Sequence, residues 1–530
     1  MPASGGSARG TSGTSRVGLS ASELEPRSSR PHSRVRVEAE EGMGPSFLRG
    51  GLRGIVWTET RRGLDDGAPC YIRNEATLEA TAAVLPNESR RLGTLEQLYL
   101  TFFWFSSNVH WGAILTILVQ SQVLVMVGDE SKGAGVGTAI AIGSLTGILV
   151  PPLLGAWSDR VRLRMGRRRP FMVVGTALNL VALVGMATFP FLKTDSLWGF
   201  TGAYWLYVGA YLMANFANNV ATAPYTALMP DVVPPEQRGS VAGWYGLMTL
   251  LGNGVGMGLA SSMVSQQASL GEFQGQIHRV YMLIGLILVV GVLITVLGTR
   301  EKPLTTEPKP FEWGSFLKGF VAPFGARDFR WVFLTRMLMS MGVFSVQSFL
   351  LFYLRDVVKD FSVFGRTLAT TPELAVLGVL GLLLLLALPS TVIAGKLSDR
   401  YGRKRVVYVA GAIQAVVAAG FIFNDNYLAA LFIGALFGVG YGAYESVNWA
   451  LATDVLPDMD DAAKDMGIWH MALTVPQFLA TPVAGWLLDT FNAFGKQGGR
   501  PTMGYTVIFS VAILYFALGT VFVARVKKAR

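Results

Sequence analysis

The sequence predicts an all-α membrane protein with twelve transmembrane helices in two pseudo-symmetric six-helix bundles. Three observations support this fold class. Apolar residues make up 51% of the 530 residues and charged residues only 15%, a composition typical of chains that cross a membrane many times. Apolar stretches of roughly 20 residues, enough to cross a bilayer of about 30 Å, recur from Leu95 onward. One basic motif occurs twice, each time between two such stretches.

The apolar stretches are predicted to be helices, because a chain in lipid must satisfy its backbone hydrogen bonds within itself. The first and fifth are long enough to require tilt, or ends that lie outside the hydrocarbon. The predicted spans are 95–127, 134–156, 170–191, 201–229, 237–266, 277–298, 329–354, 373–397, 404–423, 427–453, 463–488 and 503–525.

The duplicated basic motif lies between the second and third spans of each half. The second copy runs from Gly395 to Arg405 (GKLSDRYGRKR), and the first, longer by four residues, runs from Gly155 to Arg169 (GAWSDRVRLRMGRRR). A motif repeated at the same place in two halves indicates that the chain arose by repetition. Internal repeats in a membrane protein are typical of alternating access.

A second repeat supports the division into halves. The segment ALMPDVVP at 227–234 ends the fourth span, and ALATDVLP at 450–457 ends the tenth. The predicted organisation is a disordered cytoplasmic tail at 1–93, an N-terminal bundle at 94–298, a cytoplasmic linker at 299–328, a C-terminal bundle at 329–525 and a basic tail at 526–530.

The distribution of Lys and Arg predicts the orientation, because positive charges close to helix ends resist translocation. Positive residues gather in the segments 160–169, 300–318, 400–405 and 525–530, which fall on one side. We therefore expect both termini in the cytoplasm and the protein in the plasma membrane. The loop 355–366 is an exception, with Arg355 and Lys359 on the outer side.

Composition also argues against several classes of function. The net charge of +10 comes from short loops rather than from a basic face, so we expect no nucleic-acid partner. Cys70 is the only cysteine and the four histidines are scattered, so we expect no metal site and no cofactor. No phosphate-binding loop or arrangement of nucleophile and base points to an enzyme. The expected partners are a small solute and the lipid bilayer, around a monomer.

The repeated motif Gly-x-x-x-Asp-Arg-x-Gly-Arg-Lys/Arg in two six-span halves resembles the major facilitator superfamily over residues 94–528. The longer first copy, with Pro224, Tyr225, Pro230 and Asp231 ending the fourth span, resembles the branch of sucrose/proton symporters and glycoside-pentoside-hexuronide cation symporters. The resemblance implies a central cavity lined by the first, fourth, seventh and tenth helices. The sodium-binding acids of the glycoside-type relatives are absent from the second and fourth spans, which favours protons as the coupling ion.

The repeated motif is interpreted as a gate. The resemblance implies that Asp159 meets the eleventh span near Lys464, and that Asp399 meets the fifth near Glu236 to Gly239. Each carboxylate would be favoured there by the helix dipole, and only when the cytoplasmic side is closed. The alternative is that the basic residues only enforce topology. The predicted gating residues are Asp159, Arg160, Gly166, Arg167, Arg168, Asp399, Arg400, Gly402 and Arg403.

Three ionisable residues lie within predicted spans, where each needs a partner or water. They are His110, Arg336 and Glu445. Arg336 and Glu445 are predicted to form an ion pair, with snorkelling of Arg336 as the alternative. Glu445 is the first candidate for a proton carrier and His110 the second, although a histidine in a membrane can also serve as a plain helix contact.

Sugars need many hydrogen bonds and a flat apolar ring, so neutral polar and aromatic residues on the cavity helices are candidates for binding. The alternative for each is ordinary hydrogen bonding between helices. The sequence thus predicts a secondary active transporter, a proton-coupled sugar or glycoside symporter. The alternatives are an exporter of drugs or metabolites and a non-transporting solute receptor. The binding candidates are Asn108, Trp111, Asn215, Asn219, Gln347, Asn448 and Trp449.

Overall fold

The computed structural model describes residues 35–36, 57–59, 71–72, 91–163, 165–301, 313–455 and 462–527. The chain divides into two compact units, Met1–Arg90 and Arg91–Arg530. The described part of the first unit is a small antiparallel sheet in the order β1-β2-β3. Its strands are β1 (Val35–Arg36), β2 (Trp57–Glu59) and β3 (Tyr71–Ile72).

These strands differ from the disordered tail predicted for residues 1–93. Val35 pairs with Thr58, and Thr58 pairs with Ile72, so β-branched residues lie opposite one another, as strands favour. The remainder of that predicted tail, up to residue 90, lies outside the described residues. The same is true of residues 302–312 of the predicted linker and of 528–530 at the C-terminus.

The second unit is helical, and each predicted span has a long helix. Helix α1 runs from Thr94 to Val127 with a π-helical turn at Ile114–Leu118. The others are α2 (Lys132–Ser158), α3 (Arg169–Thr188), α4 (Gly202–Val232), α5 (Arg238–Met263), α6 (Leu270–Gly298), α7 (Arg327–Gln347), α8 (Pro372–Tyr401), α9 (Arg403–Ile422), α10 (Tyr427–Asp454), α11 (Ala462–Gln497) and α12 (Met503–Phe522).

Ten helices in the described residues are long and apolar enough to cross a membrane. Helices α4 and α5 are as long but less apolar, since α4 carries a cluster of asparagines and α5 is rich in glycine. Asn218 of α4 is buried and accepts a hydrogen bond from Ser107 of α1, so part of this polarity is used between helices rather than in lipid.

Shorter elements connect the long helices. A short helix at Trp313–Val321 precedes α7, and Leu350–Tyr353 with a π-helical turn at Leu354–Val358 follows it. Single 3₁₀ turns lie at Phe189–Phe191, Pro235–Gln237, Ala322–Gly325 and Val523–Arg525. Two hairpins are formed by β4 (Ser196–Leu197) with β5 (Phe200–Thr201), and by β6 (Ser362–Val363) with β7 (Arg366–Thr367).

For reference, we define two faces of the helical unit by its loops. The basic face carries the loop 159–168, the segment 299–326 and residue 402. The opposite face carries the loops 128–131, 192–201, 264–269, 359–371, 423–426 and 498–502. Both hairpins lie on the opposite face, because each joins helices that end there.

Within each half, glycines let one helix pack directly on the backbone of another. A Cβ on Gly252 or Gly256 of α5 would meet backbone atoms of α1, whereas Gly254 and Gly258 meet no atom within 4 Å. The glycine-rich fifth span is therefore a packing surface inside the first half. In the second half the glycines of α10 at 434, 438 and 442 pack against α8 in the same way.

The two halves touch through α2 and α11. A Cβ on Gly133 would meet the carbonyl oxygen of Gly485, and one on Gly137 would lie 2.6 Å from the Cα of Pro482. Asp489 of α11 accepts hydrogen bonds from the backbone N–H groups of Gly133 (2.9 Å) and Ala134 (2.6 Å). These donors belong to the first turn of α2 and have no partner within that helix.

An ion network on the opposite face also joins the halves. Lys132, at the start of α2, pairs with Asp356 in the turn after α7 and lies 3.1 Å from Asp129. Arg355 pairs with both Asp129 and Asp356. Partial burial raises the pKa of Asp129, but the hydrogen bond and charge of Arg355, with the charge of Lys132, outweigh it and hold that pKa below its usual range. This contribution is therefore present at neutral pH and is lost only in acid, as pH falls through the lowered value.

Hydrogen bonds elsewhere on this face complete the closure. The backbone N–H of Gln266 donates to Glu373 at the start of α8 (3.1 Å), and Gln120 of α1 donates to the carbonyl oxygen of Ser348 (3.2 Å). The opposite face is thus closed by polar contacts between the two halves.

Replacing Gly485 with valine should push α11 away from α2 and open the opposite face, because the new side chain would overlap the backbone of Gly133. A cysteine introduced by Gln347→Cys in a Cys70→Ser background should then react several-fold faster with an impermeant thiol reagent added on that side. Gly155→Val is the matched control, since a Cβ there meets no atom within 4 Å. Equal labelling rates in the two variants would refute the role of the seam.

Candidate functional site

Arg336 of α7 is buried inside the helical unit, with 2% of its surface exposed. Its guanidinium carbon lies 3.6 Å from the ring centroid of Trp469 on α11, which is the geometry of a cation–π contact. Trp469 is itself fully buried. The snorkelling alternative for Arg336 is therefore wrong, because a stacked and buried guanidinium does not extend to the membrane surface.

Glu445 of α10 belongs to the same electrostatic cluster as Arg336. The charge of Arg336 acts on Glu445 and on Tyr441 and Tyr444 of the same helix. No hydrogen bond or ion-pair contact between Arg336 and Glu445 is found in the described residues, so the predicted ion pair is here an attraction across a gap rather than a direct contact. Tyr441 lies one helical turn from Glu445 and shares its face.

His110 of α1 is fully buried, and neither ring nitrogen has a hydrogen-bond partner among the described residues. Its ring lies 4.7 Å from that of Trp111, and Trp111 in turn meets Tyr211 of α4 edge to face at 6.4 Å. A buried imidazole without a partner loses hydrogen bonds that it would have in water. The alternative of a hydrogen-bonding helix contact therefore has no support in this conformation.

The asparagines of α4 separate into two groups. Asn218 is buried and bonded to Ser107, which is a structural role. Asn215 and Asn219 are half-buried, and each donates to a backbone carbonyl one turn earlier in α4, those of Tyr211 and Asn215. Asn219 also lies 3.9 Å from the position of a Cβ on Gly147 of α2, so it faces the helix that meets α11.

The remaining binding candidates lie in different surroundings. Asn108 accepts a hydrogen bond from Asn253 of α5 at 3.3 Å and donates to the carbonyl oxygen of Trp104, which makes it a contact between α1 and α5. Asn448 is buried, and its Nδ2 has no partner in the part of the chain described. The side chain of Trp449 lies outside the described residues.

A cavity of about 830 Å³ lies between the two halves. It is bounded by α1, α5, α7, α8 and α10, and by one residue of α9. Of the predicted binding residues, Gln347 lines it, together with Thr116, Asn253 and Tyr441. Tyr441 connects this cavity to the cluster of Glu445 and Arg336.

The first copy of the basic motif is bonded within its own half. Arg168 donates to Asp159 at 2.5 Å and to Asp231 at the end of α4 at 3.1 Å, and Arg167 also pairs with Asp231. Glu301, just after α6, accepts the backbone N–H groups of Arg167 and Arg168 at 2.9 and 3.0 Å. These contacts cap the start of α3, where unpaired N–H groups favour a carboxylate.

The second copy has no equivalent contacts. Asp399 is exposed, and no hydrogen bond or ion pair links it to another described residue. Arg400 lies over the ring of Tyr401 at 5.4 Å, Arg160 of the first copy donates to the carbonyl oxygen of Ala156, and Arg403 begins α9. The side chain of Lys464, the predicted partner of Asp159, lies outside the described residues, so both predicted gate contacts stay predictions.

Gly166 and Gly402 end the turns of the two copies with φ of 100° and 94°. Residues with a Cβ rarely adopt such angles. A Cβ on Gly166 would also meet the side chain of Glu301, so glycine lets this carboxylate reach the start of α3.

Comparison with known proteins matches these features to a family. The family described as MFS/sugar transport protein matches residues 132–526, about three quarters of the chain. This protein belongs to the MFS/sugar transport protein family. Its twelve helices in two halves are the fold of this family, and the predicted resemblance to the major facilitator superfamily is confirmed.

The relatives of this MFS protein include sugar transporters. Proton-associated sugar transporter A of Rattus norvegicus is 34% identical over 174 residues, which cover 31% of this chain and 22% of the relative. Sucrose transport protein SUC3 of Arabidopsis thaliana is 27% identical over 182 residues, covering 31% of this chain and 30% of the relative. The matched segments thus span less than a third of each relative.

Solved structures of low identity share the fold. The crystal structure of the nucleoside transporter NupG superposes with a TM-score of 0.62 at 15% identity, covering 82% of this chain and 100% of that chain. The family and this structural neighbour are transporters.

Sequence reasoning did not identify Trp469, Asn253 or Glu301. Trp469 is an aromatic residue in an apolar span, and nothing in the pattern relates it to Arg336. Asn253 lies in the glycine-rich run of α5, and its exposure to the cavity depends on how α5 packs on α1. Glu301 was visible as the first acidic residue after the sixth span, a position from which it can reach the neighbouring basic loop.

Replacing Trp469 with leucine in this MFS protein should lower the free energy of unfolding by about 2 kcal/mol, because the buried guanidinium loses its aromatic partner. Trp469→Phe keeps a ring and should recover part of the loss. The measurement is the apparent melting temperature of purified protein in detergent, followed by thiol reactivity or light scattering. Trp486→Leu on the same helix, where the side chain is 60% exposed, is the control. A shift no larger than that of the control would contradict the stabilising role.

Proposed function

We propose that this protein is a proton-coupled sugar or glycoside symporter that works by alternating access as a monomer. The observation that carries the proposal is a charged cluster, Arg336 with Glu445, beside a cavity between the two halves of a member of the MFS/sugar transport protein family. A relative is named a proton-associated sugar transporter, and another a sucrose transport protein.

The basic face is proposed to be cytoplasmic, with both termini on that side of the plasma membrane. The excess of Lys and Arg in its loops supports this orientation. The exception in the sequence, the loop that begins at Arg355, is consistent with it, because Arg355 is neutralised by Asp129 and Asp356. A paired arginine carries no net excess of positive charge into the outer loops.

The conformation described is proposed to be open towards the basic face. Support comes from the contacts between the halves on the opposite face, through Gly133, Gly485 and Lys132. It also comes from Asp159, which pairs with Arg168 of its own half rather than with α11. Closure of the basic face would then require Asp159 to exchange partners and Asp399 to gain one.

Glu445 is proposed to carry the coupling proton. With Glu445 ionised, its charge attracts Arg336 across the gap between α10 and α7. Protonation removes this attraction, and the arginine keeps its contact with Trp469. A change in charge between two helices that line the cavity is a local event that can bias a two-state movement of the bundles. His110, buried without a partner, is the second proposed site for a proton.

Replacing Glu445 with glutamine should abolish proton-driven accumulation of sugar while leaving exchange of sugar across the membrane, because the side chain keeps its shape but no longer titrates. The measurement is uptake of a panel of labelled sugars into proteoliposomes, with and without an imposed proton or sodium gradient. Asn448→Asp, on the same helix, tests whether any added carboxylate alters coupling. Proton-driven accumulation by Glu445→Gln would remove Glu445 from the mechanism, and extrusion of cations or dyes without sugar uptake would overturn the proposed substrate class.

Replacing Asp399 with alanine should reduce uptake while leaving membrane insertion intact. The interaction of a carboxylate with a helix N-terminus stabilises by up to about 2 kcal/mol, so the state closed on the basic face should become up to about thirtyfold less populated. Initial rates of uptake, normalised to inserted protein, are the measurement. Asp425→Ala, an exposed residue on the opposite face, is the control. Normal uptake by Asp399→Ala would refute the gate.

A further inference from the structure

The cavity between the two halves has a size suited to a solute larger than one sugar ring. Its volume of about 830 Å³ falls in the upper part of the range of roughly 300 to 1,000 Å³ that small-molecule sites occupy. It lies on the side of the helical unit closed by Gln120 and Ser348, and it is reached past Tyr441 from the Glu445 cluster.

The polar groups of this cavity are few. Four of its fifteen lining residues carry a hydrogen-bonding group, namely Thr116, Asn253, Gln347 and Tyr441. Thr116 donates to the carbonyl oxygen of Gly112 in its own helix, and the amide of Asn253 donates to Asn108 and Thr249. Two of the four groups therefore already use their donors inside the protein.

Gln347 and Tyr441 are the groups left for a ligand. Neither side chain makes a hydrogen bond to another residue in the described parts of the chain. Gln347 ends α7, and Tyr441 lies on α10, so both belong to the second half. An amide and a phenol can bind the edge of one sugar ring, since together they offer both donors and acceptors.

The rest of the cavity wall is apolar. Ten of the fifteen lining residues are Val, Leu, Met or Phe, and four of these lie on one side, from Val379 to Leu384 of α8. Opposite them on α10, Phe437 and Tyr441 lie with ring planes only 12° apart and centroids 6.3 Å apart. The two rings form a flat aromatic surface, on which another ring can pack in an offset stack.

A disaccharide does not match this wall. Each of its rings carries several hydroxyl groups, and a hydroxyl buried against Leu or Phe loses its hydrogen bonds to water without replacement. An apolar group gains from leaving water in the same place. The chemistry of the wall thus discriminates between two solutes of similar size.

We propose that this cavity is a subsite for an apolar aglycone, and that the protein prefers glycosides with an aryl group to disaccharides. Gln347 and Tyr441 bind the sugar, while Leu383 and Phe437 contact the aglycone and set the specificity. This inference rests on the proposed function, because it concerns the solute of the same transport site.

The test compares three unlabelled solutes as inhibitors of labelled sugar uptake into proteoliposomes that contain the full chain. They are 4-nitrophenyl α-D-glucoside, methyl α-D-glucoside and maltose. We expect the aryl glucoside to inhibit at a concentration at least about tenfold lower than either of the others, the ratio typical of one well-filled apolar subsite. Equal or stronger inhibition by maltose would overturn the inference.

Two variants connect the preference to the cavity wall. Leu383→Gln keeps the volume but adds a polar amide, and it should reduce the advantage of the aryl glucoside about tenfold while leaving methyl glucoside unchanged. Leu383→Met, which stays apolar, is the matched control and should keep the preference. An unchanged ratio in Leu383→Gln would place the aglycone elsewhere and overturn the proposal.

A binding measurement separates this inference from the proposed function. The same solutes are tested for their effect on the melting temperature of the purified full chain, a readout independent of transport. Stabilisation by the aryl glucoside with no uptake of any sugar would refute symport and support the subsite. Uptake of sugars with equal stabilisation by aryl glucoside and maltose would support symport and refute the subsite.

Discussion

Glycine backbones bring α2 and α11 together on the opposite face, and the rest of the helical unit is arranged around that contact. Gly133 and Gly485 have no side chains to separate the helices, so Asp489 reaches the unpaired N–H groups that begin α2. The same approach places Lys132 beside Asp356 and closes one end of the cavity. Closure here depends on backbone proximity, which a single added Cβ would prevent.

The cost of burying charge in lipid explains the composition of the second half. Arg336 is far from the membrane surface, and its position is stabilised by the ring of Trp469 and by attraction to Glu445. Neither interaction consumes Glu445 in a direct ion pair. The carboxylate is therefore free to change its protonation state without first breaking a salt bridge, which is useful for a carrier of protons and would be a defect in a purely structural pair.

The two copies of the basic motif differ in their contacts because they differ in length. The four additional residues of the first copy let Arg168 fold back onto Asp159 and Asp231, while Glu301 caps α3. The shorter second copy turns at Gly402 directly into α9, and Asp399 stays exposed. The first half thus holds its gate carboxylate in an internal network, whereas the second leaves its carboxylate available.

The sequence by itself determined the number and order of the helices and their two-fold repetition, because span length and loop charge are set by the bilayer and are local properties of the chain. It also located Arg336 and Glu445, since ionisable residues are conspicuous in apolar spans. Only the tertiary structure decided which groups meet: Trp469 under Arg336, Asn253 and Gln347 in one cavity, Gly133 against Gly485. Those contacts join residues far apart in the chain, and they depend on the rotation and depth of each helix, which apolar patterning inside a lipid-embedded bundle does not encode.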